Sequence, residues 1–224
     1  MQFNRPEYTC YRAAAPIVID GRLDDPSWAG AMEVELRLAD TGEQPRQRTT
    51  ARMLWDDEYL YIGFHCEDTD IWGVTTERDQ AIYEHEVVEV FIDEDRDNYG
   101  YIEIEVNPLN AVLDLFMIKR GKQARGLWDW DSKGMRTAVT VDGDPTRRGT
   151  NDRSWTVEIA IPMSDFMMAP HLPPEPGDVW HANLYRIDRP EDGRDEYTAW
   201  SPPGVINYHT PERFGRVVFS EREV

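Results

Sequence analysis

The chain has 224 residues, of which 40% are hydrophobic and 30% are charged, so it can bury a sizeable core and is not a disordered protein. Its formal net charge of −19 is repelled by nucleic-acid phosphates and by anionic membranes, so we expect neither as a partner. The N-terminus lacks the apolar run of a secretory signal, and no stretch is long enough to span a membrane; this predicts a cytoplasmic protein as written, or an extracellular or periplasmic one if a leader has been removed.

Alternation of apolar and polar residues predicts strands along most of the chain. Residues 8–12 are expected to form an edge strand, and Asp25-Pro26 is expected to begin a short helix whose Trp28 closes one end of the core. The other predicted strands are residues 33–38, 49–55, 59–66, 87–92, 101–106, 111–118, 135–141, 155–161, 179–188, 197–200 and 214–219. These elements predict an all-β fold with a few short helical turns, a single-domain antiparallel β-sandwich of the immunoglobulin or jelly-roll type over residues 1–224.

The clearest alternation lies in residues 101–106, which read Tyr-Ile-Glu-Ile-Glu-Val. Side chains two residues apart on a strand share one face, so Ile102, Ile104 and Val106 should point into a core. Glu103 and Glu105 should then share the opposite face, which is unusually acidic for a plain scaffold. The preceding apolar strand also contains a carboxylate, Glu89.

Two long connections and two cysteines complete the pattern. Residues 67–82 form a loop without periodicity that contains Trp72 and Arg78, and long loops in compact domains often bind ligands. Residues 119–133 are basic and glycine-rich, and Trp128 near their end is expected to cover one end of the core. Cys10 and Cys66 are expected to be two buried thiols.

Acidic residues offer two further hypotheses. Asp93, Asp95 and Asp97 place hard oxygen ligands at alternating positions, as calcium prefers, although the spacing does not match an EF-hand and a solvated hairpin turn is the alternative. Calcium is therefore an optional ligand, and no cofactor is required. Glu89, Glu103 and Glu105 leave a glycoside hydrolase open, because that chemistry uses two carboxylates beside the scissile bond.

Seven segments, taken in order, resemble the family 9 carbohydrate-binding modules and their stand-alone relatives. They are IDGRLDDPSW (19–28), ARMLWDDEYLYIGF (51–64), EVVEVFID (86–93), YIEIEVNPLNAVLDL (101–115), WTVEIAIP (155–162), HANLYRID (181–188) and PERFGRVVF (211–219). The resemblance implies a β-sandwich that binds sugars and serves polysaccharide-degrading enzymes. It also implies that structural calcium is common among its members.

The resemblance further implies that two aromatic rings sandwich a terminal sugar, and the matching positions here hold Tyr83 and Trp200. Aromatic faces suit the C–H face of a pyranose, and its hydroxyls need a polar rim. The residues expected to supply that rim are Arg78, Glu89, Glu105, Asn107 and Arg186. Trp72 is either a third aromatic platform or a residue that packs its own loop onto the sandwich.

We therefore expect non-catalytic binding of a plant-type β-glucan or xylan oligosaccharide or polysaccharide, linked to polysaccharide catabolism. Replacing Trp200 with alanine should then abolish binding without unfolding the protein. Two alternatives stay open: a glycoside hydrolase, and a structural or interaction domain whose sugar site has decayed. The second is kept open by Tyr83, because sugar-binding members usually carry tryptophan at that position.

Overall fold

A computed structural model describes residues 5–224, and strands are their main regular secondary structure. The strands are β1 (Glu7–Arg12), β2 (Glu33–Glu35), β3 (Arg37–Leu38), β4 (Thr49–Trp55), β5 (Tyr59–Glu67), β6 (Val87–Asp93), β7 (Gly100–Val106), β8 (Val112–Arg120), β9 (Gln123–Leu127), β10 (Arg136–Asp142), β11 (Ser154–Pro162), β12 (Val179–Asp188), β13 (Glu196–Ala199) and β14 (Gly215–Glu223). The described residues contain one α-helix, α1 (Pro26–Gly30). They also contain 3₁₀ turns at Ile82–Glu84, Met163–Asp165 and Pro211–Arg213.

Eleven of these strands follow one hydrogen-bonded path, β10-β11-β5-β4-β1-β14-β12-β6-β7-β8-β9, and β2, β3 and β13 pair beside it. Side chains from its two halves meet in a main core, which contains Met53 and Ile62 from one half and Val90 and Ile104 from the other. The path therefore folds back on itself as two packed layers, which confirms the predicted all-β sandwich. Each large apolar side chain buried between the layers contributes about 1.5–3 kcal/mol to stability.

The alternation in β7 places its side chains as predicted. Ile102, Ile104 and Val106 belong to the main core, whereas Glu103 and Glu105 lie on the opposite face of the strand. That opposite face does not meet open solvent, because both glutamates are buried. A second apolar cluster covers much of it, with Phe91 and Tyr185 from neighbouring strands packed under Tyr208 and Phe214. The segment between β13 and β14 supplies Tyr208 and Phe214, so it acts as a cover over this layer.

Several local predictions differ from the structure. β1 is not an edge strand, because it pairs in parallel with both β14 and β4 and so joins the two layers. The predicted strand 33–38 is interrupted at Leu36, and its two parts pair with different partners, β4 and β13. The segment 119–133 contains a strand, β9, that its glycines and charges concealed.

Trp28 is fully buried but not at the predicted place: it lies in a third cluster that covers the outer face of the other layer, and not at one end of the main core. The prediction for the two cysteines agrees with the structure. Cys10 and Cys66 are buried and unpaired, as expected of two core thiols. Over residues 5–224, no helix combines the length and the apolar character that crossing a membrane requires.

Candidate functional site

A pocket of about 400 Å³ opens on the covered face of the β6–β7–β8–β12 layer. Its lining combines carboxylates, aromatic rings and a few aliphatic side chains: Tyr83, Glu89, Glu103, Glu105, Leu115, Met117, Gly126, Trp128, Ile187, Arg189, Tyr197, Ile206, Asn207, Tyr208 and His209. Four sheet strands form its base, and loops from distant parts of the sequence form its sides. This mixture of apolar faces and a small number of polar groups is typical of sites for small ligands.

Three glutamates at the base of the pocket, which we call the pocket triad, are Glu89 on β6 and Glu103 and Glu105 on β7. Glu89 lies directly opposite Glu105 in the antiparallel ladder. The three side chains are 3%, 4% and 1% exposed, and one carboxylate oxygen from each lies within 4.8 Å of one from each of the others. Strand alternation therefore brings three acids to one buried point.

Burial is the main reason that the triad holds protons strongly. It raises the pKa of Glu103 to about 7. It also raises the pKa values of Glu89 and Glu105, and the negative charge of Glu103 raises both further. Like charges this close in a poorly solvated place cannot all ionise without cost. The triad therefore has a strong electrostatic preference for protons or another cation.

The protein's own groups neutralise the triad only in part: the positive charge of Arg189 opposes the rise in the pKa of Glu89, which burial dominates. His209 places Nδ1 3.6 Å from Glu103 Oε2, but burial lowers the pKa of His209 to about 4, so the imidazole is neutral at pH 7. Arg189 also lines the pocket. Its guanidinium donates to Asp195, to the Tyr197 hydroxyl at 3.0 Å and to the Tyr83 carbonyl at 3.3 Å, so these hydrogen bonds are directed away from the triad.

Aromatic rings supply the apolar part of the pocket. Tyr83 stands on a 3₁₀ turn fixed by the buried Ile82, and Trp128 follows β9 directly; they are 38% and 49% exposed. Tyr208 stacks on the buried Tyr185, with ring centroids 4.0 Å apart, so its position is rigid. Two accessible rings above buried acids give a ligand both flat apolar faces and hydrogen-bond acceptors.

The structure brings three of the predicted ligand-binding residues together in this pocket, namely Tyr83, Glu89 and Glu105. Trp200 lies elsewhere: it is only 6% exposed and belongs to the main core. Its ring meets Tyr8 edge-on at 6.1 Å and covers Gly215 so closely that a Cβ there would lie 2.5 Å from it. Trp200 thus has the environment of a core residue, because β12 and β14 enclose it.

Arg186 is also directed inward, since it alternates with the pocket-facing Tyr185 and Ile187 on β12. It is 1% exposed and binds Asp68 at 2.6 Å, the Glu67 carbonyl at 2.8 Å and Thr49 at 3.1 Å. These contacts attach the start of the long 67–82 loop to the sheet. The structure therefore gives Arg186 a structural position rather than a place on the polar rim.

The three other predicted residues hold loops in place. Asn107 is 1% exposed; its amide donates to the Thr75 carbonyl at 3.0 Å, and its oxygen accepts the backbone N–H of Ala111 at 2.8 Å. Arg78 pairs with the buried Asp114 at 2.5 Å.

Trp72 donates to the Arg189 carbonyl at 2.9 Å, and its ring lies 4.2 Å from the guanidinium of Arg148. This arrangement agrees with its packing of the loop onto the sandwich. None of these three residues is among those that line the pocket.

Sequence reasoning did not include several pocket residues among the predicted ligand contacts, and they are Glu103, Trp128, Arg189, Tyr197, Ile206, Asn207, Tyr208 and His209. Alternation could have identified Glu103 as a ligand contact, because it places Glu103 on the same face as Glu105. Trp128 was expected to cover one end of the core, and its 49% exposure beside the pocket corrects that prediction. No local pattern marks Asn207 or His209, whose position depends on the cover segment folding over the layer.

The predicted calcium residues lie in the β6–β7 turn. One carboxylate oxygen from each of Asp93, Asp95 and Asp97 lies within 4.8 Å of the others, and such oxygen donors fit calcium chemically. The same carboxylates already organise the turn, since Asp93 accepts the backbone N–H groups of Asp97 and Asn98 at 3.2 and 3.0 Å. Calcium at this turn stays a prediction.

Comparison with known proteins gives a consistent family assignment. The family model described as "Carbohydrate family 9 binding domain-like" matches residues 19–222. An endo-1,4-beta-xylanase A of Thermotoga maritima is 26% identical over 207 residues, which cover 89% of this chain and 16% of the xylanase. Exoglucanase XynX of Acetivibrio thermocellus is 25% identical over 204 residues, covering 91% of this chain and 16% of that enzyme. The chain thus spans only a small part of the relatives it matches.

Solved structures share the fold. A protein of Bacteroides uniformis superposes with a TM-score of 0.79 at 16% identity, covering 97% of this chain and 100% of the other. A family 9 carbohydrate-binding module of Caldicellulosiruptor kristjanssonii, solved in complex with cellotriose, superposes with a TM-score of 0.66 at 18% identity, covering 96% of this chain and 94% of the module. At these identities the likeness is one of fold.

Proposed function

The chain belongs to the carbohydrate family 9 binding domain-like family, and from this membership we propose that it binds carbohydrate without catalysis, in the pocket above the triad. The ligand class is a β-glucan or xylan oligosaccharide, or the end of such a polysaccharide. Relatives named as a xylanase and an exoglucanase, and a structural neighbour solved with cellotriose, support this class. Cytoplasmic location stays a prediction from the sequence.

The observation that carries the proposal is the pairing of accessible aromatic faces with buried hydrogen-bonding groups in one pocket. Tyr83 and Trp128 expose flat rings against which the C–H face of a sugar can lie. Below them, the carboxyl groups of the triad can receive sugar hydroxyl protons in a place shielded from water. A pocket of about 400 Å³ has room for one or two sugar rings.

Calorimetric titration with cello- and xylo-oligosaccharides tests this proposal. Trp128→Ala and Tyr83→Ala should each weaken binding roughly tenfold or more, because stacking on an aromatic ring contributes of the order of 1.5 kcal/mol. Tyr99→Ala is the matched control: Tyr99 is 50% exposed, lies in the β6–β7 turn and does not line the pocket. Equal affinities for the unaltered protein and all three variants would show that the sugar does not bind in this pocket.

A glycoside hydrolase is the second candidate, because the pocket triad places three carboxyl groups within 4.8 Å of one another. A hydrolase needs one protonated acid and one ionised carboxylate, held in different environments. Here burial raises the pKa values of all three glutamates, that of Glu103 to about 7, so none of them is a carboxylate that stays fully ionised at pH 7. We therefore expect no turnover of chromogenic β-glucosides or β-xylosides; measurable turnover lost in Glu103→Gln would establish the enzyme instead.

A further inference from the structure

The pocket triad has hydrogen-bonding capacity that the described residues of the protein do not use. Glu103 Oε2 and Glu105 Oε2 are buried, and neither has a hydrogen-bond partner among the described residues. Buried carboxylate oxygens are normally paired, since leaving one unpaired costs the full desolvation of the group. Both oxygens belong to side chains that line the pocket and are less than 5% exposed. Glu86 Oε2 and Asp188 Oδ2 are also unpaired but do not line this pocket, so it is the unpaired oxygens together with the open pocket that mark Glu103 and Glu105 as ligand contacts.

The chemistry of that partner follows from charge. Three carboxyl groups meet at one point, the adjacent His209 is neutral at pH 7, and the hydrogen bonds of Arg189 go to other groups. Elsewhere in the chain, the buried acids Asp68 and Asp188 have the guanidinium of Arg186 beside them. No arginine or lysine among the described residues forms an ion pair with the pocket triad, and Arg189 acts on Glu89 without one, so a ligand that brings a positive charge meets the complementary field.

We propose that the preferred ligand is an amino sugar, whose ammonium group sits on the pocket triad while its ring lies against Tyr83 and Trp128. This inference rests on the proposed function and narrows its ligand class to β-linked oligosaccharides that carry a free amine. An ammonium has three N–H donors, one for each glutamate, and no acceptor. Its positive charge offsets the repulsion among the three acids, which no hydroxyl group can do.

The lining of the pocket favours an ammonium on a ring over a bare metal ion. Three acceptors arranged tetrahedrally about 2.8 Å from one nitrogen stand about 4.6 Å apart, which is compatible with oxygens that all lie within 4.8 Å of one another. Calcium takes 6–8 oxygen ligands at 2.3–2.6 Å and makes no use of aromatic sides. The pocket has about 400 Å³ and four tyrosine or tryptophan side chains in its lining, which suit an organic cation with an apolar face.

The test compares three oligosaccharides of equal length and β-1,4 linkage: cello-oligosaccharide, its fully deacetylated glucosamine counterpart, and the N-acetylated counterpart. Calorimetric titrations at pH 7 in EDTA should show the glucosamine oligosaccharide binding at least tenfold tighter than the other two, because hydrogen bonds to charged groups contribute more than neutral ones. N-acetylation removes the charge and leaves the ring, so it isolates the contribution of the ammonium.

Variants then locate the effect. Glu103→Gln and Glu89→Gln should each lower the ratio of glucosamine to cello-oligosaccharide affinity at least fivefold, and urea unfolding confirms that each variant is folded. Glu94→Gln is the matched control, because Glu94 is a buried glutamate, 2% exposed, that does not line the pocket. Its affinity ratio should equal that of the unaltered protein.

The possible outcomes separate this inference from the proposed function. Equal binding of the three oligosaccharides would overturn the amino-sugar inference and leave carbohydrate binding in place. Cello-oligosaccharide binding that appears only when calcium replaces EDTA, and that is lost in Glu103→Gln but kept in Asp95→Asn, would also overturn it, since the triad and not the β6–β7 turn would then hold a metal ion. If none of the three oligosaccharides binds, both the amino-sugar inference and the proposed function are overturned. A glucosamine preference that Glu94→Gln keeps and Glu103→Gln loses would establish the inference.

Discussion

Two buried groups of three acids in this molecule have similar composition and different surroundings. One is the pocket triad of Glu89, Glu103 and Glu105; the other, which we call the arginine-bound triad, is Asp68, Glu86 and Asp188. Members of both are at most 4% exposed, and in both, one oxygen from each residue lies within 4.8 Å of the others. The two triads are therefore alike in the spacing of their carboxylate oxygens and in their burial.

The difference lies in what occupies the centre. In the arginine-bound triad, Arg186 is 2.6 Å from Asp68 and 3.6 Å from Asp188, and it also reaches backbone and hydroxyl oxygens. The pocket triad meets an open pocket and a neutral histidine instead. Unpaired buried charge costs several kcal/mol. The comparison therefore teaches that the fold supplies a cation where the acids attach a loop, and leaves the position open where a ligand can enter.

The largest effect is expected when the cation of the arginine-bound triad is removed. Arg186→Met should lower the free energy of unfolding by about 5 kcal/mol, because it leaves Asp68 and its neighbours buried without a counter-charge. Urea denaturation measures the change. Arg153→Met is the control, since Arg153 pairs with Asp142 on the exposed surface and should change little. A small effect of Arg186→Met would mean that the two triads are alike and that neither needs a cation.

Replacing two tryptophans one at a time distinguishes a residue of the core from a residue of the pocket. Trp200→Ala should destabilise the protein by about 4 kcal/mol, since it empties a filled part of the main core beside Tyr8 and Gly215. Trp128→Ala should change stability by less than about 1 kcal/mol, because that ring is 49% exposed. Thermal or urea unfolding compares them. A Trp200→Ala protein that is stable but has lost sugar binding would support the prediction that Trp200 contacts the sugar. It would contradict the core position of this residue.

The pH dependence of stability tests the charge on the pocket triad. Glu103 has its pKa raised from 4.5 to about 7 by burial, so the folded protein binds more protons than the unfolded chain between these values. The destabilisation is absent below about pH 4.5 and complete above about pH 7, so stability falls as pH rises through this range.

Glu103→Gln should therefore gain stability over the unaltered protein as pH rises, by up to about 3 kcal/mol at pH 8. Urea unfolding at pH 5, 6, 7 and 8 measures the difference between the two proteins, which cancels the titration of buried acids that do not interact with Glu103. Glu94→Gln provides a comparison with another buried glutamate. A difference that does not change with pH would show that Glu103 is not held in a raised-pKa environment.

The smallest effect is expected at the third acidic cluster, in the β6–β7 turn. If Asp93, Asp95 and Asp97 take calcium with a millimolar dissociation constant, 10 mM calcium should stabilise the fold by about 1 kcal/mol, and Asp95→Asn should reduce this gain. Unfolding midpoints in calcium and in EDTA measure it. An unchanged midpoint would assign the cluster to turn formation alone, which its hydrogen bonds to backbone N–H groups already serve.

Much of the fold was accessible from the sequence because strand alternation is a local property. The strands 49–55 and 179–188 were predicted with the bounds that β4 and β12 have, and the two faces of β7 were assigned correctly. Alternation thus put Glu103 and Glu105 on the same face, opposite the main core. It failed for β9, where glycine and charge hide the pattern, and it gave no sign of the parallel pairing of β1.

The sequence by itself determined which residues share a face of a strand; only the tertiary structure decided what lies over that face. Glu103 and Glu105 could be assigned to one face, but His209 and Tyr208 reach them across about a hundred residues of chain. Trp200 and Arg186 fit a sugar site by residue type, yet they lie in the packed interior. The physical reason is that periodicity is set within one strand, whereas burial and charge pairing depend on which distant segments pack against it.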